Sequence, residues 1–204
     1  ALAGDEITAI PHGLAASALE VTGNARKVQT SLAYREGLVE LQDASSQAVV
    51  AALPEGVRCL DYCAGGGGKA LALAAQPGRS VHAHDLEPRR MADLPSRAAR
   101  AGAAVPILTG AEVAGAAPFD LVLCDVPCSG SGAWRRSPEA KWRLTQEGLD
   151  ALAATQDSIL QKAAGYVRPK GWLVYATCSV LRCENHDRID AFLTANPDWR
   201  CAHQ

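Results

Sequence analysis

The chain has 204 residues, 48% of them apolar and 21% charged, with 20 basic against 22 acidic side chains and a net charge of −2. This composition is globular rather than disordered and suits one α/β domain with a short appendage. It excludes nucleic-acid binding by bulk positive charge, so any RNA or DNA contact must come from a local patch. No apolar run approaches the ~18 residues of a membrane helix. The start, with Asp5 and Glu6 and no basic segment, is unlike a signal peptide. Seven cysteines, an odd number, read as reduced thiols of a cytoplasmic protein.

Residues 1–50 are Gly/Ala-rich and weakly patterned, closing on Asp43-Ala-Ser-Ser-Gln47, a helix N-cap ahead of Ala48 to Leu53. From there strand and helix alternate. Val57 to Cys63 is a short apolar run closed by glycines, a buried strand. Gly68 to Ala75 is Ala/Leu-rich and helical, and Val81 to Asp85 is a second strand. Pro88 to Ala101 reads as helix, with Pro88 in the first turn and Pro95 kinking or ending it early. Val105 to Thr109 is a third, outer strand, because Pro106 cannot donate to a ladder. Phe119 to Asp125 is a fourth strand, Leu149 to Val167 a long amphipathic helix, Gly171 to Thr177 a fifth strand and Glu184 to Asn196 a last helix.

Strands separated by helices predict parallel pairing and a doubly wound α/β sheet. The chain stops just after its last helix, so the sheet is expected to present a bare apolar edge. Either one or two further strands are missing from this chain or something else covers that edge.

Cys63-Ala-Gly-Gly-Gly-Gly-Lys69 follows the first strand and opens a helix. Glycine permits close backbone approach to a ligand, and a helix N-terminus offers free N–H groups. Asp85 ends the second strand 20 residues after Gly65, where a carboxylate can accept from ribose hydroxyls. The turn therefore predicts a nucleoside-containing cofactor at the carboxyl ends of the strands. Gly65-x-Gly67-x-x-Ala70 alone is a weak dinucleotide fingerprint, and Cys63 and Ala70 stand where a phosphate-binding loop needs Gly and Ser/Thr. Lys69 reads equally as an active-site group or a solvated helix-start lysine.

The most informative pair is Asp125-Val-Pro-Cys128-Ser-Gly-Ser-Gly132 and Ala176-Thr-Cys178-Ser179. Each thiol follows a parallel strand, and strands joined by one helix are usually neighbours ~5 Å apart. Both thiols are thus expected at the rim that carries the glycine turn. Cys59 and Cys124 lie inside strands and read as core; Cys183 and Cys201 read as incidental. Cys59-x-x-x-Cys63 and Cys124-x-x-x-Cys128 lack zinc-knuckle spacing, and no metal is expected. A Cys128–Cys178 disulfide is geometrically feasible, but a reducing compartment argues against a permanent bond.

On these residues the sequence resembles the Nop/Sun family of RNA cytosine-5 methyltransferases, especially the branch acting on bacterial small-subunit ribosomal RNA. The match runs from about Gly37 to Trp199. It includes Leu41 to Gln47, the glycine turn, both cysteine turns, Arg136-Ser-Pro-Glu-Ala-Lys-Trp142 and Glu184-Asn185. The resemblance implies a Rossmann-like, S-adenosylmethionine-dependent methyltransferase over residues 43–204, with residues 1–42 as an N-terminal extension facing RNA. It implies Cys178 as nucleophile, Cys128 as the group assisting product release, and Asp125 and Lys69 facing the target base. The cofactor would be bordered by Cys63, Ala64, Gly65, Gly66, Gly67, Gly68, Lys69, Asp85, Arg90, Thr109 and Asp125, although Arg90 also reads as a helix-surface charge. The sequence departs from the family at Gly66, where proline is usual, at Ala70, where Ser/Thr is usual, and at Thr109, where an aspartate is usual.

Trp134 to Arg143 carries four basic residues and one acidic between two tryptophans. Arg135, Arg136, Lys141 and Arg143 suit phosphate and the indoles suit stacked bases. RNA, ribosomal in kind, is the expected partner, with no DNA, membrane or stable protein partner. A competing reading keeps the fold and drops the chemistry: a non-catalytic RNA-binding or ribosome-assembly factor, motivated by Thr109, Gly66 and the short C-terminal end. An NAD-dependent oxidoreductase rests on the glycine pattern alone and leaves the two thiols unexplained.

Overall fold

The computed structural model describes residues 1–202, so the last two residues of the expected catalytic domain lie outside it. The N-terminal segment is better ordered than its sequence pattern suggests. Strands β1 (Thr8–Pro11) and β2 (Leu19–Gly23) pair as an antiparallel hairpin, followed by a 3₁₀ turn and a short helix, α1 (Leu32–Arg35). Both strands are largely exposed, so they lack the alternating apolar face that reveals a strand in sequence. Asp43 caps α2 (Ala44–Ala51) as expected, accepting from the Ser45 amide, and the helix starts earlier than Ala48.

The remainder is a parallel sheet. Its strands are β3 (Arg58–Asp61), β4 (Ser80–Ala83), β5 (Phe119–Asp125) and β6 (Val167–Ala176), in the spatial order β4-β3-β5-β6. The helices between them are α3 (Gly68–Ala74), α4 (Leu94–Arg100), α5 (Gly110–Ala116), α6 (Glu139–Arg143) and α7 (Gln146–Ala164), and α8 (His186–Ala195) follows β6. Alternate residues of each strand serve opposite faces. Cys59, Leu121 and Leu123 pack with Val81, Leu73 and Leu94 on one side, whereas Leu60, Val122 and Cys124 pack with Val113 and Ala163 on the other. Two covered faces explain why the strands read as continuous apolar runs. Cys59 and Cys124 are fully buried, as the strand pattern predicts.

Three expectations are corrected. Val105 to Thr109 is no strand: a single parallel bridge joins Ile107 to Ala83, since Pro106 offers only its carbonyl. Pro95 does not end a helix; a 3₁₀ turn over Pro88–Met91 precedes it, and Pro95 lies in the first turn of α4. The long helix ends at Ala164, and Val167 already pairs with Phe119 as the first residue of β6. An irregularity around Lys170 (φ 63°) then separates Val167 from the regular ladder that begins at Trp172. Among the described residues β6 is an edge strand, with Trp172 to Tyr175 half-buried, which matches the expected bare edge. No helix of the described residues is long and apolar enough to cross a membrane.

The chain leaves β3 for β4 on one side and returns to β5 on the other. Strand order therefore reverses between β3 and β5, and ligands of open α/β sheets bind outside the carboxyl ends of the strands at such a point. Asp61 and Asp125 are the final residues of these two strands.

Candidate active site

The glycine turn is held from both sides. Gly65 (φ 54°) donates its amide to Asp85 Oδ2 at 2.8 Å, and the other oxygen of Asp85 takes the Glu87 amide at 2.9 Å. Arg90 pairs with the same carboxylate at 3.4 Å. From outside, Arg97 donates to the Gly66 carbonyl and pairs with Glu40, which also binds Arg100 at 2.6 Å. The N-terminal segment thus braces the turn through Glu40. Gly67 (φ 78°) is the N-cap of α3, and a β-carbon there would stand 2.4 Å from a methyl of buried Leu94.

Asp61, which the sequence reading overlooked, lies fully buried beneath this turn, and both its carboxylate oxygens lack hydrogen-bond partners among the described residues. Burial, then the negative charge of Asp125, pushes its carboxyl up to about 7, and Lys69 opposes them. The Ala70 amide in the first turn of α3 also pulls downward without completing a hydrogen bond. The available signal was a carboxylate inside the apolar run Val57 to Cys63. Burial, with the carboxylates of Asp61, Asp85 and Asp125, pushes the Cys63 thiol up to about 12, so it stays protonated.

Across the switch point, Lys69 Nζ lies 2.5 Å from Asp125 Oδ2 and 3.4 Å from Ser46 Oγ. Beyond Asp125 the two expected thiols meet, Cys128 Sγ 3.4 Å from Cys178 Sγ. Cys178 is exposed and Cys128 half-buried. Burial pushes the Cys128 thiol up to about 11. The site thus joins Lys69, Asp125, Cys128 and Cys178 at the ends of β3, β5 and β6.

Thr109 is the N-cap of α5. Its exposed side chain forms a capping box with Glu112 at the start of α5. The basic loop is exposed at Arg135, Arg136, Lys141 and Arg143. Arg136 pairs with Asp43, and the hydrogen bonds from Ser45, aided by that pairing, pull the Asp43 carboxyl down to about 2. Lys141 Nζ sits 6.0 Å from the ring centre of Trp134 and 5.5 Å from that of the exposed Trp142.

The donor set fits S-adenosylmethionine. A buried carboxylate at Asp61, without a partner among the described residues, suits a ligand with an ammonium and a sulfonium, and the positive φ of Gly65 and Gly67 turns the backbone sharply at the start of α3, beside that carboxylate. Asp85 is 5% exposed and engaged with the turn, so it acts first as a brace for the glycine backbone.

The family described as 16S rRNA methyltransferase RsmB/F matches residues 48–204. The ribosomal RNA small subunit methyltransferase B of Salmonella typhi is 39% identical over 173 residues, covering 81% of this chain and 40% of the relative. The chain therefore spans about 40% of the length of such relatives. The crystal structure of PH0851 is 30% identical, with a TM-score of 0.81 over 96% of this chain and 46% of that one. A methyltransferase homolog from Pyrococcus horikoshii, 24% identical with a TM-score of 0.77 over 96% of this chain and 64% of that one, shares the fold. On the extent of the family match, the chain belongs to the RsmB/F family of 16S ribosomal RNA methyltransferases, Rossmann-like enzymes that depend on S-adenosylmethionine.

Proposed function

We propose that the protein methylates carbon 5 of a cytosine in ribosomal RNA through a covalent adduct between Cys178 and the base. The observation that carries this reading is the 3.4 Å approach of Cys178 and Cys128 beside the Lys69–Asp125 pair. Carbon 5 of cytosine is a poor nucleophile. When the Cys178 thiolate bonds to carbon 6, the ring double bond opens and carbon 5 gains electron density, so one difficult step becomes two easier ones. Bound S-adenosylmethionine supplies the methyl group as an electrophile.

Roles follow from exposure and charge. Cys178 is the exposed sulfur and can reach a base. Asp125 accepts a hydrogen bond from the exocyclic amine of the base or, when it carries a proton, gives it to the ring nitrogen as negative charge develops there, and Lys69 fixes that carboxylate while supplying the positive potential that favours a thiolate. A solvent base, water or hydroxide reaching this exposed edge, then takes the carbon-5 proton; the double bond is restored and the carbon–sulfur bond breaks with its electron pair returning to Cys178. Cys128, held protonated by burial, donates a hydrogen bond to that departing sulfur. A base inside a duplex cannot reach these groups, so the target must be single-stranded or flipped out. The exposed loop around Trp142 supplies cations and an aromatic face for the flanking RNA, and residues 1–42 form an N-terminal extension that faces the RNA.

The test compares two variants on the same ribosomal RNA. Cys178→Ala is expected to abolish methyl transfer, whereas Cys128→Ala is expected to accumulate an RNA adduct that survives denaturing electrophoresis. Methylation at wild-type rate by the Cys178→Ala protein overturns the reading.

A further inference from the structure

Glu184 plays no part in the chemistry above, yet it is fully buried between the two cysteine turns. Four neutral donors converge on its carboxylate. Oε1 accepts from the Ser129 amide at 2.8 Å and Gln156 Nε2 at 3.1 Å, and Oε2 accepts from the hydroxyls of Ser129 at 2.5 Å and Ser179 at 2.6 Å. Ser129 directly follows Cys128 and Ser179 directly follows Cys178. The two Cys-Ser steps, 50 residues apart in the chain, thus share one carboxylate oxygen.

The surrounding bonds stiffen this bridge. Because Ser179 gives its proton to Glu184, Ser131 Oγ at 2.9 Å must donate to Ser179, while it accepts from the Val180 amide at 2.9 Å. Gln156, also fully buried, donates to the Pro127 carbonyl one residue before Cys128. The Tyr175 hydroxyl holds the Glu184 carbonyl at 2.7 Å from the end of β6. Burial raises the Glu184 carboxyl, and the hydrogen bonds from Ser129, Ser179 and Gln156 more than offset it, leaving the group below its ordinary value and ionised. An acceptor-only carboxylate is the side chain that can take two hydroxyls on one oxygen and two N–H groups on the other. Charge-assisted bonds of this kind are short and directional.

We infer that Glu184 is the positioning residue of the thiol pair: by binding Ser129 and Ser179 together it locks the turns that carry Cys128 and Cys178 and keeps their sulfurs in contact. The catalytic consequence rests on the proposed roles of the two thiols, since a displaced Cys128 cannot assist departure of Cys178. Loss of the clamp is therefore expected to stall the release step rather than cofactor binding.

Two readouts test this. Diamide removes one hydrogen atom from each of two paired thiols, giving a disulfide and the reduced hydrazine, so the rate of Cys128–Cys178 crosslinking, followed by peptide mass spectrometry, reports sulfur spacing independently of methyl transfer. Glu184→Gln is expected to slow that rate roughly tenfold, as is the double variant Ser129→Ala/Ser179→Ala, which removes both arms and serves if the Gln variant does not fold. With ribosomal RNA and S-adenosylmethionine, Glu184→Gln should accumulate the covalent adduct as Cys128→Ala does, with kcat reduced and KM for S-adenosylmethionine unchanged. A merely structural residue would lower turnover without trapping the adduct. Unchanged crosslinking in the folded Gln variant and in the double serine variant overturns the inference. Slowed crosslinking together with a Cys128→Ala protein that traps no adduct supports the clamp and places the failure in the methyl-transfer reading.

Discussion

The Lys69 ammonium and the Asp125 carboxylate meet at 2.5 Å across the point where the strand order of the sheet reverses. Lys69 belongs to the first turn of α3 and Asp125 is the last residue of β5, so the pair connects the glycine turn to the cysteine turns. Lys69 is 15% exposed and Asp125 33%, which leaves both partly desolvated. Lys69→Met would strand Asp125 and remove the charge that opposes ionic repulsion between Asp125 and Asp61. The stability cost is expected to be about 1–2 kcal/mol, below that of a fully buried pair because Asp125 retains contact with water. Methyl transfer should fall by roughly a hundredfold or more. Urea unfolding and single-turnover kinetics measure the two losses separately.

Asp61 predicts a pH dependence of stability. Its folded carboxyl is raised from 3.8 to about 7, so the neutral form is the one favoured by folding. That favourable contribution is complete below about pH 4 and is lost as pH rises to about 7, with an upper bound of about 4 kcal/mol. Asp61→Asn should abolish this slope, gaining on the wild-type protein between those pH values. Urea midpoints at several pH values give the comparison. A cationic cofactor should also drive a proton from Asp61 near neutral pH, an effect visible in calorimetric titration with S-adenosylmethionine and absent from the Asn variant.

The sheet and the thiol pair were legible because their signals are local. Apolar runs that give way to the glycines after Cys63, to Pro127 and to the polar turn after Ala176 mark where strands stop, and a helix between strands fixes their pairing. Glu184 and Asp61 were not legible as site residues, because their meaning is tertiary. Glu184 acquires its partners from turns 50 residues apart, and Asp61 is distinguished by the partners it lacks. Thr109 carries a local signal of its own: the Thr109-x-x-Glu112 spacing forms a capping box at the start of α5. The hairpin of β1 and β2 escaped notice because exposed strands carry no core-facing period.

Gly67 and Gly78 share a φ of 78° but differ in surroundings, which separates two costs of a β-carbon. At Gly78 nothing lies within 4 Å, so Gly78→Ala bears only the left-handed backbone, about 1 kcal/mol. At Gly67 the added carbon would meet Leu94, which is packed in the core, and overpacking adds about 1–3 kcal/mol. Thermal unfolding should therefore rank Gly67→Ala well below Gly78→Ala. Weakened S-adenosylmethionine binding is expected for Gly67→Ala alone, since that residue caps α3 in the glycine turn proposed to border the cofactor.

Trp142 and Lys141 separate stacking from phosphate attraction in the basic loop. Trp142 is 82% exposed, so its removal should leave stability within about 0.5 kcal/mol of the parent. If a base stacks on the indole, Trp142→Ala should cost about 1–3 kcal/mol of RNA affinity, roughly 5- to 150-fold, with little change in salt dependence. Lys141 bears the charge, so Lys141→Ala should weaken binding across sequences and lower the slope of log affinity against log salt by about one. Arg136 is already committed to Asp43, so Arg136→Ala should affect RNA affinity less than Lys141→Ala. Filter binding of single-stranded RNA over a range of salt concentrations resolves the three outcomes. Equal salt slopes for the parent and Lys141→Ala would remove this loop from the RNA path.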